Sequence, residues 1–405
     1  MESDPGFLSL SAADRRFAQE LVYGVMRQRS SLDWIIAACT EGRPQKPALQ
    51  DILRLGLYQL FYLDRVPAHA AVHETVELAR EAGFPQQSGF VNAVLRSCDR
   101  ERTKVREDIE RLKSSHPAIA WSHPEWLVER WRGRFGKPGL RKLLEWDNTP
   151  PPTYVRVNTL RNTPEQLVER WKAEGVVALP VSYDWVTPGH LFHLETHPPL
   201  ATLPSFVEGG FYVQDPSTLL AVRELDAQPG ETILDFCAAP GGKTAHIAQC
   251  LGNQGRVVAH DNSSTRLRLV SENCTRLGVS CVETISPPAA PGLARSFDRV
   301  LLDAPCSNTG VLRRRLELRW RIQPEEITRL AETQCRLIAR VAEFVRPGGI
   351  LVYSTCSLES EENDGVILAF TGPGSPFELL RHRQVNPVHD GVDGAFVAVL
   401  RRRPA

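Results

Sequence analysis

The sequence predicts a multidomain chain: an all-α domain (1–115), a small α+β module (116–205) and an α/β core built on a largely parallel sheet (206–405). Three observations carry this. Apolar residues recur at helical spacing over 14–27, 31–38, 49–63 and 70–82, break at Gly83 and Pro85, and resume over 90–96. Around 114–126 the chain changes character. Helical stretches at 126–134 and 140–146 give way to the stiff connector 149–152, a strand at 153–160, a helix at 164–174 and an extended run at 176–194. From about Phe211 strands and helices alternate. Strands fall at 232–236, 256–260, 299–302, 350–353 and 396–400, with helices at 243–251, 264–277 and 324–345. Such alternation implies a sheet covered by helices on both faces.

Composition narrows the function class. At 42% hydrophobic, the 405 residues can pack cores, and no run nears the ~18 consecutive apolar residues of a membrane span. The first ten residues lack a basic start and an apolar stretch, so a cytoplasmic protein without a membrane partner is expected. Basic and acidic residues balance at 48 each, so no global charge points to nucleic acid. Yet 41 of the basic residues are Arg, and 312–321 (LRRRLELRWR) is locally basic with one Trp. Arg offers a planar fork for phosphate and a face for stacking on bases. The nine cysteines include no CxxC pair, so no metal site and no disulfide framework are expected.

In a parallel sheet, ligands lie beyond the carboxyl ends of the strands. The first strand of the core runs into Cys237, Ala238, Ala239, Pro240, Gly241, Gly242 and Lys243. Small residues and two glycines let a cofactor approach the backbone, and the next helix begins with unpaired N–H groups. The loop matches neither GxGxxG nor the phosphate-binding GxxxxGK[ST]. Asp261 follows the second strand, where a carboxylate can accept from ribose hydroxyls or cap the next helix. A nucleoside cofactor such as S-adenosylmethionine suits these features.

Two further strand ends carry Asp303, Cys306 and Cys356. Nitrogen and oxygen acceptors of a methyl group already hold lone pairs, whereas carbon 5 of a pyrimidine is a poor nucleophile. A thiolate adding to carbon 6 pushes electron density onto carbon 5, dividing one hard step into easier ones. An acidic group near ring nitrogen 3, Asp303, would stabilise the adduct unless it merely caps its loop. A second residue, Cys306, would assist proton loss and release.

FCAAPGGKT, LLDAPCSNTGVLRR and YSTCSLESEEN resemble the signatures of the Sun-type RNA cytosine-C5 methyltransferases. Over nearly the whole chain the sequence is similar to the Sun/RsmB-type 16S rRNA enzymes. LVYGVMRQRSSLDWII and GFVNAVLR resemble a NusB-like RNA-binding domain, and RVNTL resembles the RRM-like subdomain before a Rossmann-like core. The resemblance implies Cys356 as nucleophile and Cys306 in product release. It also implies cofactor contacts along 237–243 and at Asp261 and Asp303, and RNA phosphate near Arg313 and Arg314. Monomeric action on RNA, 16S rRNA in particular, is expected.

The chain departs from the family in three places. The acidic residue after the third strand is missing from Val282-Glu283-Thr284-Ile285-Ser286-Pro287-Pro288, where Thr284 or Ser286 could substitute. The Arg pair continues as Arg315-Leu316-Glu317 instead of His-Pro and an acid. The helical domain begins late, as a shortened reading frame or a lost helix would leave it. Two other substrates are conceivable, transfer RNA and DNA, but a DNA enzyme lacks the Thr-Cys-Ser site. A binding-only assembly factor would need neither thiol.

Overall fold

The computed structural model describes residues 4–286 and 296–404. Two compact units emerge: Met1–Pro150 with Arg313–Arg321, and Pro151–Leu312 with Ile322–Ala405. Among the described residues no helix is long and apolar enough to cross a membrane.

The first unit is helical, and local sequence explains where its helices start and stop. Ser11 caps Ala12–Arg27 by accepting from the Asp14 N–H, and Pro47 opens Pro47–Tyr62 at the position where a missing N–H costs nothing. Apolar faces of Arg29–Cys39, Pro47–Tyr62, Ala68–Glu81 and Ser88–Arg100 close over Leu32, Ile35, Leu53, Leu57, Val91 and Leu95, all fully buried. The stretches at 126–134 and 140–146 are the two halves of Glu125–Asp147, broken where Gly136 takes φ +64° ahead of Pro138. The helices of 117–147 belong to this unit rather than to the sheet that follows.

The second unit begins with an antiparallel sheet of four strands, β1 (Thr153–Val157), β2 (Val177–Pro180), β3 (Leu191–Thr196) and β4 (Phe211–Val213), in the order β2-β3-β1-β4. A capping box, Thr163 with Gln166, starts the helix Pro164–Ala173. That helix lays Trp171 edge-on against Phe192 and Phe211.

The core sheet has seven strands: β5 (Thr232–Asp235), β6 (Arg256–His260), β7 (Val282–Ile285), β8 (Phe297–Asp303), β9 (Val345–Thr355), β10 (Phe377–Val385) and β11 (Ala395–Arg402). Their order is β10-β11-β9-β8-β5-β6-β7. From β7 to β9 all pairs are parallel, while β11 runs antiparallel to both β9 and β10. Ile233, Leu234, Val300, Leu301, Leu302, Leu351, Val352 and Tyr353 are all buried, as strands covered on both faces require. Strand order reverses between β5 and β8, the switch point where a crevice opens beyond the strand ends.

Sequence periodicity assigned no element to β4, β10 or the helix Pro216–Leu225. β4 is three residues long, too short to show alternation. β10 is an edge strand buried mainly at its ends, and its middle, LLRHRQ, lacks a hydrophobic face. The helix is buried on nearly every side, so its apolar residues form no stripe.

Candidate active site

β5, β6, β8 and β9 end at one edge of the sheet, and each delivers a candidate site residue there. After β5 the chain turns through 236–241 into the helix Gly242–Cys250. The turn is pinned where the Ala238 N–H donates to the His260 carbonyl at 2.9 Å and the Gly241 N–H to the Ala238 carbonyl at 2.8 Å. Gly241 adopts φ +102°, and a Cβ there would stand 3.1 Å from Val270 Cα, so this position requires glycine.

Asp261, just past β6, is 4% exposed and accepts from the Ser263 N–H (3.0 Å) and the Ala239 N–H (3.3 Å). It does not cap the following helix: Ser263 does so through the Arg266 N–H. Asp235, at the end of β5, accepts from Thr244 with one oxygen, while the other has no partner among the described residues. Burial pushes the Asp235 carboxyl up to about 7, with Asp303 and Asp261 adding to the rise. Thr284 lies in β7, and the residues that follow Ser286, including Pro287 and Pro288, lie outside the described residues.

Asp303 ends β8, in register with Ser354 on β9. Its carboxylate accepts from Lys243 Nζ at 2.6 Å and from Ser354 Oγ at 2.6 Å. Burial works against the Lys243 ammonium, but Asp303, joined by Cys356 and Asp235, lifts the group above its usual value. The donor set is therefore acidic, with Asp235, Asp261 and Asp303 at neighbouring strand ends and the nearest cation already paired. Such a set fits the diol and ammonium of S-adenosylmethionine better than a phosphate. Cys237 and Gly242 complete the loop that would hold it. Burial, together with Asp303 and Asp235, pushes the Cys237 thiol well up.

Cys306 follows β8 by three residues and Cys356 follows β9 directly; their sulfurs lie 3.4 Å apart. Cys306 is 9% exposed, and Cys356 is partly exposed. The hydrogen bond to Cys356 and then burial push the Cys306 thiol well up, so it keeps its proton.

Two residues that sequence reasoning left without a role complete the arrangement. Glu362 is fully buried and takes the Ser307 N–H at 2.8 Å, the Ser307 and Ser357 hydroxyls, and Gln334 Nε2 at 3.0 Å. It thus clasps the residue after each cysteine. Burial nevertheless pushes its carboxyl up, against the pull of those bonds. Asn308 touches both cysteines: Nδ2 donates to the Cys306 carbonyl at 2.7 Å, and Oδ1 accepts from Cys356 Sγ at 3.0 Å. Backbone packing is equally close. A Cβ on Gly310 would stand 2.7 Å from the Cys356 carbonyl oxygen and from Gly394 Cα.

Arg313 and Arg314 belong to the first unit. Arg313 is 2% exposed, with its guanidinium 3.9 Å from the centre of the Trp146 ring, whereas Arg314 is exposed. Arg319 in the same basic stretch is also buried, donating to the Arg27, Ser122 and Asp147 carbonyls and to Asn148 Oδ1. Among the described residues no group of three or more His, Cys, Asp or Glu side chains is arranged to hold a metal ion. A cavity of about 320 Å³ lies elsewhere in the second unit, lined by Arg156, Trp185, His246 and Gln249, and contains none of the residues above.

Strand order, the glycine turn and acidic strand ends define a Rossmann-like methyltransferase core, carried with an antiparallel α+β module and a separate helical domain. Residues 222–401 match the family described as 16S rRNA methyltransferase RsmB/F. Residues 4–100 match the NusB family, and 123–184 match the RsmF/B-like ferredoxin-like domain. The probable ribosomal RNA small subunit methyltransferase B of Bacillus subtilis is 35% identical, covering 97% of this chain and 92% of its own. The ribosomal RNA small subunit methyltransferase B of Vibrio cholerae is 36% identical, with coverages of 96% and 90%. The solved protein PH0851 superposes with a TM-score of 0.79 at 26% identity, over 97% of this chain and 91% of that one. NSun6 from Pyrococcus horikoshii with SFG gives a TM-score of 0.62 at 25% identity, covering 70% of this chain and 99% of its own. The chain belongs to the RsmB/F family of methyltransferases.

Glu362→Gln should show what the clasp contributes. A glutamine puts an NH2 where the carboxylate now meets only donors, and the Ser307 N–H cannot reverse. The variant should lose about 1–3 kcal/mol of unfolding free energy in urea titrations. An unchanged midpoint would mean that the clasp contributes nothing to stability.

Proposed function

We propose that the protein transfers a methyl group from S-adenosylmethionine to carbon 5 of a cytosine in RNA, with Cys356 as covalent nucleophile. The supporting observation is the pair of thiols in contact at adjacent strand ends, beside the acidic cofactor crevice. A protein that only bound RNA would have no chemical need for that pair. The relatives' names favour 16S rRNA as the substrate over transfer RNA.

When bound, S-adenosylmethionine supplies an electrophilic methyl group on its sulfonium. The protein's own residues supply the rest. The Cys356 thiolate adds to carbon 6, forming an S–C bond and moving an electron pair toward carbon 5, which then takes the methyl group. The ammonium of Lys243 stands close enough for Cys356 to figure among its electrostatic partners, the kind of neighbour a thiolate needs. Asp303, held by Lys243 and Ser354, would serve ring nitrogen 3 as the adduct forms. Release requires the carbon 5 proton to leave and the S–C bond to break. As the carbon 5 proton leaves, the C–H electron pair becomes the ring double bond and the S–C pair departs on the Cys356 sulfur; Cys306, a thiol 3.4 Å away, would give its proton to that sulfur and take up the one from carbon 5. Both cysteines end as thiols, and the ring regains its double bond.

Cys237 to Lys243 and Asp261 would hold the cofactor, with Asp303 shared between cofactor and base. Of the two arginines, exposed Arg314 would be the one to meet RNA phosphate; buried Arg313 would act by bracing the loop on Trp146.

Cys356→Ala should abolish transfer of labelled methyl to RNA while cofactor affinity, measured by calorimetry, stays within about twofold of the parent. Normal turnover would rule out the nucleophile. Cys306→Ala should accumulate a protein–RNA adduct that survives denaturing electrophoresis in the presence of cofactor. Without such a band, Cys306 would have no part in release.

A further inference from the structure

Among the described residues two hydrogen-bonding neighbours of Cys356 have opposite preferences, while the Lys243 ammonium also favours its thiolate. The Cys306 sulfur lies 3.4 Å away, where either thiol can donate and an S–H from Cys306 would favour a Cys356 thiolate. Asn308 offers a carbonyl oxygen at 3.0 Å, which can only accept. The orientation of the Asn308 amide is fixed by its other end, because Nδ2 donates to the Cys306 carbonyl at 2.7 Å and a carbonyl cannot donate back. Flipping the amide would set oxygen against oxygen. The backbone holds this pose: Asn308 sits at φ 59°, ψ 25°, a left-handed conformation that asparagine tolerates better than most side chains.

We propose that Asn308 is a positioning residue that holds the resting Cys356 as a thiol and fixes its sulfur between the asparagine oxygen and Cys306. This rests on Cys356 being the nucleophile. The single Cys356 proton lies on the line to Asn308 Oδ1, which leaves the Cys306 S–H to point at the Cys356 sulfur. Loss of the Cys356 proton would set a thiolate against the negative end of the amide dipole. The side chain must then turn away or a substrate group must replace it. The unliganded enzyme thereby keeps a partly exposed sulfur in its less reactive form.

The test is alkylation of the full-length protein by iodoacetamide, with Cys356 followed by peptide mass spectrometry apart from the other eight cysteines. Asn308→Gly removes the side chain and keeps the backbone, since glycine accepts a positive φ at no cost. At about pH 7 its Cys356 should react roughly 3- to 10-fold faster than in the parent, the equivalent of one lost neutral hydrogen bond. The gain should close in strongly alkaline solution, where thiols in general react as thiolates whatever their neighbours. Asn308→Asp, which sets a carboxylate beside the sulfur, should react more slowly than the parent at about pH 7. An unchanged rate in Asn308→Gly overturns the proposal. So does a gain that persists at high pH, because that reports access rather than protonation. Should Cys356→Ala keep methyl transfer while Asn308→Gly shows the gain, the nucleophile assignment falls and the Asn308–Cys356 contact stands. The converse result sinks this inference alone.

Discussion

The buried carboxylate of Glu362 is the interaction on which the reactive edge depends. Two cysteines 50 residues apart in sequence bring their sulfurs to 3.4 Å. The parallel pairing of β8 with β9 brings their loops near each other, but strand pairing alone leaves such loops free to diverge. Glu362 closes that freedom by taking a backbone N–H and a hydroxyl from Ser307 and a hydroxyl from Ser357. An unpaired carboxylate in such a place would be costly, and satisfaction by several donors makes it tolerable. Asn363 extends the clasp, accepting from the Thr355 hydroxyl at 2.6 Å and donating to the Ser357 carbonyl at 2.9 Å.

With that edge fixed, the chemistry divides by environment. Cys306 is buried and hydrogen-bonded, so it keeps its proton; Cys356 is partly exposed. Asp303 takes its place in the strand register opposite Ser354 and is matched by Lys243. The cofactor crevice carries carboxylates where a phosphate-binding fold would present free cations. Four neighbouring strand ends thus bring together the acids, the thiols and the glycine turn, as a doubly wound sheet allows.

Much of this was legible in the sequence, and the reasons are local. Strands buried on both faces show as continuous apolar runs, and the glycine turn after β5 announces itself by composition. Cys306, Cys356 and Asp303 stand out because each follows such a run. Glu362 and Asn308 were hidden because the partners that define their roles, Ser307 and Cys356, lie 55 and 48 residues away. No periodicity reports that a glutamate in a polar stretch is buried. The basic stretch 312–321 shows the opposite failure. Composition suggested a face for RNA, yet Arg313 and Arg319 are interior. Burial draws Arg319 down to about 10, so it stays charged at neutral pH while its protons are spent on backbone carbonyls.

The central claim is that the Cys356 sulfur bonds to the pyrimidine ring during transfer. The most direct measurement uses an RNA substrate carrying 5-fluorocytidine. Fluorine cannot leave carbon 5 as a proton does, so the adduct should persist after methylation. Digestion and mass spectrometry of the trapped complex should place the modified nucleotide on the peptide containing Cys356. A nucleotide mapped to Cys306, or methylated RNA released with no protein attached, would contradict the account.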